Sequence, residues 1–154
     1  MSHPLRSVDG VSRGWNPWRA LRERRHLRLV FAEMPDACGR GALLDEADGT
    51  RTVMLDYRLD RRDRNAVLAH ELVHDERDVL YADDTPIALV VKEEGYVNRE
   101  VSRRLVPRPD LTELVEQLED LGEPVHAVTV AEEFDVPLDV AQRALWLLEQ
   151  RRSA

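Results

Sequence analysis

A single cysteine, Cys38, in 154 residues has no partner inside the chain, so no internal disulfide holds this protein together. A lone thiol fits a reducing compartment. Lysine is as scarce: Lys92 stands alone among 22 basic residues. That bias matches GC-rich coding and says little about mechanism. No apolar run reaches the length of a membrane helix, and the first residues lack the apolar stretch of a signal peptide. A soluble, cytoplasmic protein with no membrane partner is expected. Aromatic residues make up only 5%, although Trp15, Trp18 and Trp146 stand toward the two ends. Hydrophobic residues at 43% suffice for a core, and the length suits one domain with at most a small appendage.

Charge is plentiful but unevenly placed. Residues 1–30 hold seven Arg against Asp9 and Glu23, a local charge of +5 in a chain whose net is -8, which leaves -13 for the remainder. Acidic balance on that scale argues against binding nucleic acid by counterion release, so no direct nucleic-acid partner is expected. The basic start reads as a solvated helix face.

The richest stretch is Ala69-His70-Glu71-Leu72-Val73-His74, which spells H-E-x-x-H in a helical context. Residues four apart share a helix face, so His70 and His74 can grip one metal ion together. Glu71 lies roughly 100° from His70 and roughly 60° from His74 around the axis. That puts a carboxylate beside the metal without making it a ligand, where it can take a proton from water that the metal polarises.

Around this motif the chain reads as α+β. Residues 1–14 carry no periodicity and are expected to be flexible. Asn16-Pro17 starts a helix that runs to about Arg25. Residues 27–32, 39–44 and 50–57 are strand candidates separated by short turn signals, which predicts a three-stranded antiparallel meander. Asp60 or Asp63 caps the motif helix, expected to reach about Leu80, with Leu68, Leu72 and Val79 toward the sheet. A helix from Ile87 or Val91 to Leu105 follows, ended by Pro107. Helices near 111–121, 127–134 and 138–151 complete the chain. Acids at Glu132, Glu133, Asp135 and Asp139 disfavour the last pair as a DNA-reading unit and favour packing or substrate docking.

Two histidines do not complete a catalytic zinc site, which takes three protein ligands and leaves a position for water. A third histidine at the metzincin spacing is missing, since Leu80 stands there and Arg77 replaces the intervening glycine. In the next helix Val97, Val101 and Leu105 form an apolar stripe whose mean direction lies within roughly 20° of Glu94, whereas Glu93 and Glu100 lie about 80° and 100° off it. Glu94 is therefore the favoured third ligand, with Asp75 or Asp78 as alternatives. A buried, unpaired carboxylate is expensive, and a metal would satisfy it; an arginine would be the other partner. Asn98, one turn beyond Glu94, is placed to accept the second ring N–H of His70 or His74. Cys38 lies upstream, where a deformylase would carry a cysteine ligand. Its Asp36-Ala37-Cys38-Gly39 setting reads instead as a free thiol. His3 and His26 read as surface residues.

Taken together, Leu68-Ala69-His70-Glu71-Leu72-Val73-His74, Glu94-Gly95-Tyr96-Val97-Asn98, Leu105-Val106-Pro107 and the tail segment Val130-Ala131-Glu132-Glu133-Phe134-Asp135-Val136, leading to Arg143-Ala144-Leu145, resemble the ImmA/IrrE family of metallo-endopeptidases of mobile elements and bacterial stress responses. The likeness covers roughly residues 15–150. It departs at Val73, where the family often has Gly, at Val97 for Ala, at Arg104 for Leu, and at Arg99-Glu100-Val101, where Phe-Ala is common.

The resemblance implies a zincin-like peptidase domain over 15–108, with the sheet packed on the motif helix and the Glu94 helix, and a small helical subdomain over 109–154. It implies a zinc ion (Zn2+) on His70, His74 and Glu94, with Glu71 as the general base. The implied substrate is a cognate regulator, often a helix-turn-helix repressor. Tyr57, Tyr81, Tyr96 and His126 are the candidates to stabilise the oxyanion. The third strand, if it is a sheet edge, offers a place for an extended substrate. The alternative is a module on the same fold that binds a repressor or antitoxin without cleaving it.

Overall fold

A computed structural model describes residues 14–36, 39–79 and 81–154. Cys38, His3 and Leu80 lie outside the described residues, as do residues 1–13, nearly all of the segment expected to be flexible. The architecture is α+β, with six helices and one three-stranded sheet among the described residues.

Helix α1 (Pro17–Glu23) starts as its sequence requires. Asn16 accepts a hydrogen bond from the Arg19 backbone N–H at 3.0 Å, and Pro17 fills the first turn, where an N–H would go unused. The Trp18 indole N–H donates to Asn65 at 2.6 Å, which ties α1 to the motif helix.

Strands β1 (Leu27–Ala32), β2 (Gly41–Asp45) and β3 (Arg51–Asp56) follow. The antiparallel meander is not what they form. The order is β1-β3-β2, with β1 parallel to β3 and β2 antiparallel to it, so the sheet is mixed. Burial explains the order. Val53 and Leu55 of β3 are completely buried, whereas β1 and β2 keep exposed positions such as Val30, Phe31 and Leu44. The most apolar strand takes the middle, where both its edges are paired. The connection over residues 33–40 is long enough to carry β2 past it. The β2–β3 turn is tight, with Gly49 at φ +81°. It follows that β3 is not an edge; β1 and β2 are.

Helix α2 (Arg61–Arg77) is capped by Asp60, whose carboxylate accepts from the Asp63 N–H at 2.9 Å. It ends a turn earlier than its sequence suggests, at Asp78 in the left-handed region. Leu68 and Leu72, both fully buried, pack with Val53 and Leu55 under the sheet. Each contributes about 1.5–3 kcal/mol. Val79 lies beyond the helix and is exposed. Ala69 and Val73 turn the other way, onto Val97 and Val101 of α3 (Ile87–Leu105). Two buried faces leave α2 a narrow polar strip, and that strip holds His70 and His74.

The chain ends in α4 (Arg108–Asp120), α5 (Ala127–Phe134) and α6 (Leu138–Arg152). They share a second core around Leu111, Val115, Val130, Val140 and Ala144, reaching Val106 at the end of α3. Asp135, with φ +55°, closes α5 and pairs with Arg61 and Arg62 at the start of α2.

Candidate metal centre

The apolar contact between α2 and α3 sets the separation of the polar residues beside it. Both histidines on α2 turn their Nε2 atoms to one side chain of α3. His70 Nε2 lies 3.1 Å from Glu94 Oε2, and His74 Nε2 lies 2.9 Å from Glu94 Oε1. The two Nε2 atoms are 3.1 Å apart. His70, His74 and Glu94 form the group among the described residues that could hold a metal ion. Zinc bound to nitrogen and oxygen at about 2.0–2.1 Å places its tetrahedral ligand atoms about 3.3 Å apart. The triangle therefore has nearly the size of one face of such a tetrahedron, and two imidazoles with one carboxylate are a donor set that zinc accepts.

The acid that the helical wheel of α3 singled out is the one that meets the two histidines, but it lies less deep than expected. Glu94 is 37% exposed, because it reaches across to the histidines rather than into the core. The arginine partner belongs to its neighbour instead: Glu93 pairs with Arg77, which holds its carboxyl below the usual range. Asp75 and Asp78 are not in the group. Asp75 is buried and accepts from Arg24 at 3.2 Å and Arg51 at 3.0 Å. His26, read as a surface residue, also meets Asp75 at 3.0 Å. Asp78 pairs with Arg51.

Burial dominates the electrostatics. Glu71 is 7% exposed, and loss of water, reinforced by the charge of Glu94, raises its pKa from 4.5 to about 7. Burial likewise lowers the His70 pKa, and the charge of His74 adds to this. Glu94, and a hydrogen bond in which the His70 ring N–H donates to Asn98, act in the opposite sense. Asn98 therefore sits against His70, on the side expected of it.

A cavity of about 330 Å³ opens beside the group, lined by Glu71, His74 and Glu94, by Leu43 and Asp45 of β2, and by Arg51, Asp78, Val79 and Tyr81. Of the four oxyanion candidates, Tyr81 is the one that lines it. Burial raises the pKa of Tyr81, and the charges of Glu94 and Glu93 raise it further. Tyr57 is exposed at the end of β3. Tyr96 lies under the Arg77 guanidinium, 3.9 Å from its ring centre. His126 precedes α5 and is not part of the lining.

Sequence reading missed Gly41, Leu43 and Arg51 as neighbours of the site. Gly41 left a signal, since glycine inside a strand often marks a close approach. A Cβ added there would meet Val67 Cγ1 at 2.5 Å and Glu71 Oε1 at 3.3 Å.

No family model, no curated protein and no solved structure matches this chain. Among the described residues, no helix is long and apolar enough to cross a membrane.

Proposed function

We propose that this protein is a zinc-dependent endopeptidase that cleaves a cognate regulatory protein, a helix-turn-helix repressor on the ImmA/IrrE resemblance, in the cytoplasm. The observation that carries the reading is the meeting of His70, His74 and Glu94 beside a buried Glu71 whose pKa stands near 7. A structural metal site has no use for such a carboxylate. A general base, by contrast, works best with a pKa near the operating pH. The layout supports a zincin-like domain: α2 lies between the sheet and α3 and carries the motif on its remaining strip.

His70, His74 and Glu94 would hold the ion, and Asn98 would orient His70. When bound, zinc acts as a Lewis acid that polarises water and the scissile carbonyl. Glu71 accepts a proton at a carboxylate oxygen from the attacking water and passes it to the leaving amine. Tyr81 donates its phenolic O–H to the developing oxyanion. The sheet edge beside the cavity is β2, and an extended substrate segment adds along Leu43 and Asp45.

The burial of Glu71 also favours a second reading, a module that captures the same partner without cutting it. Metal analysis of the purified protein, paired with cleavage of the co-expressed repressor by wild type and Glu71→Gln, separates the two. Metal in both proteins, with cleavage falling at least about 100-fold in the variant, supports the peptidase. Cleavage that survives the substitution, or a protein that binds no metal, removes it.

A further inference from the structure

Two hollows lie in a row along the seam between α3 and α6. The first, about 470 Å³, is lined by Gly95, Asn98 and Arg99 on one helix and by Asp139, Gln142, Arg143 and Trp146 on the other. The second, about 260 Å³, has a floor of Val106, Leu111, Ala144, Leu147 and Leu148. Its exposed walls are Arg103, Arg108 and Arg151. From the first hollow to the second the lining advances from residues 95–99 to 102–106 on and just after α3, and from 139–146 to 144–151 on α6, the two spans overlapping on α6. The helices therefore run in the same sense, and the hollows form one track. Its near end contains Asn98, the residue against His70.

The track is basic in a chain of net charge -8. Five arginines line it against one acid, Asp139. Among the described residues Arg99, Arg108, Arg143 and Arg151 form no ion pair, and Arg103 reaches Glu100 only at 3.8 Å. Elsewhere Arg24, Arg51 and Arg104 each bridge two or more acids, while among the described residues Arg19, Arg22, Arg25 and Arg64 also stand without one. Trp146 stands half exposed beside these guanidiniums. The Ser102 hydroxyl, at the wall of the second hollow, is buried without a hydrogen-bond partner. Arginine and tryptophan around a desolvated apolar pocket are the make-up of a binding hot spot.

The geometry points to a docking track for an acidic peptide segment that carries a large apolar side chain. The apolar side chain fills the second hollow, and carboxylates on either side of it meet the arginines. Arg99 and Arg103 are one turn apart, about 6 Å of helix rise. Two residues of extended peptide span about the same length, so carboxylates at alternate positions reach successive arginines. A single-stranded nucleic acid would satisfy the arginines and offer its bases to Trp146, but the acidic remainder of the chain repels it. On the peptidase reading, on which this assignment of role rests, the track holds a remote part of the substrate and leads the chain toward the metal centre. Peptide binding itself requires no metal.

The test is fluorescence anisotropy with the full chain and a short labelled peptide in which glutamates flank a central leucine, in chelator and again with zinc. Saturable binding is expected in both. It should weaken at least about tenfold when glutamine replaces glutamate, when alanine replaces leucine, or in the exposed double variant Arg108→Glu/Arg151→Glu. Arg99→Glu, in the other hollow, provides a second variant, and thermal melting verifies that each is folded. An absence of saturable binding, binding indifferent to charge reversal, or preference for a single-stranded oligonucleotide of similar length would overturn the proposal. Docking that persists in a protein without peptidase activity would leave the track standing and remove only its role in holding a peptidase substrate.

Discussion

Gly41 and Glu71 face each other across the space between β2 and α2, so closely that a methyl group on Gly41 would stand 3.3 Å from Glu71 Oε1 and 2.5 Å from Val67 Cγ1. Val67 is β-branched and half-buried on α2, so it has little freedom to withdraw. Gly41→Ala is therefore expected to push β2 away from α2 at a cost of about 1–3 kcal/mol. Peptidase activity should fall further than stability, with metal content unchanged. Parallel measurements of melting, metal stoichiometry and cleavage check this; full activity in the variant would show that the close approach is incidental.

Glu71 also makes a prediction for the metal-free protein. Its pKa is about 7 when folded, against an ordinary 4.5. Between those values the folded chain keeps a proton that the unfolded chain has released. The stabilising contribution is complete below about pH 4.5 and is lost as pH rises through about 7. Its size is on the order of 3 kcal/mol. Glu71→Gln has no such titration. In chelator, the variant should match wild type near the acid end and exceed it above neutrality. Denaturant unfolding across this range tests the point, and parallel curves for the two proteins would contradict it.

Asp75 holds a different part of the structure. It is buried among Arg24, Arg51 and His26, one residue after a proposed ligand. Asp75→Ala leaves two largely covered guanidiniums without their shared acceptor, at an expected cost of about 3 kcal/mol. Chemical denaturation measures this. A loss below about 1 kcal/mol, the range of surface pairs, would mean that the pairing is not worth its burial.

Tyr81 is the candidate oxyanion donor that lines the cavity. Tyr81→Phe should lower kcat by about 100-fold or more while metal content and KM change little. Tyr57→Phe and Tyr96→Phe serve as comparisons and should remain near wild type.

What was legible in the sequence is what a helix expresses locally. A 3.6-residue period placed His70 with His74 and set Glu94 apart from Glu93, and the side chains converge as that period requires. The Asn16 cap was equally readable, and the α2 cap to within Asp60 or Asp63, because capping involves neighbours in the chain. Strand order was not. Which strand lies beside β1 depends on which is most apolar on both faces, and on how far residues 33–40 can carry the chain. Neither is a periodic signal. The Asp75 cluster escaped for a similar reason: His26 and Arg51 reach it from 49 and 24 residues away. The buried, high-pKa state of Glu71 depends on β2 lying over it, and only the folded arrangement reveals that.

The central claim is a metal held by three named side chains. A crystal structure of the zinc-loaded protein, with anomalous scattering recorded on both sides of the zinc absorption edge, tests it most directly. One anomalous peak is expected, bonded to His70 Nε2, His74 Nε2 and a Glu94 carboxylate oxygen, with Glu71 beside it and unbonded. A zinc peak elsewhere, or density showing the two histidines and Glu94 bonded only to one another in the presence of excess zinc, would contradict it.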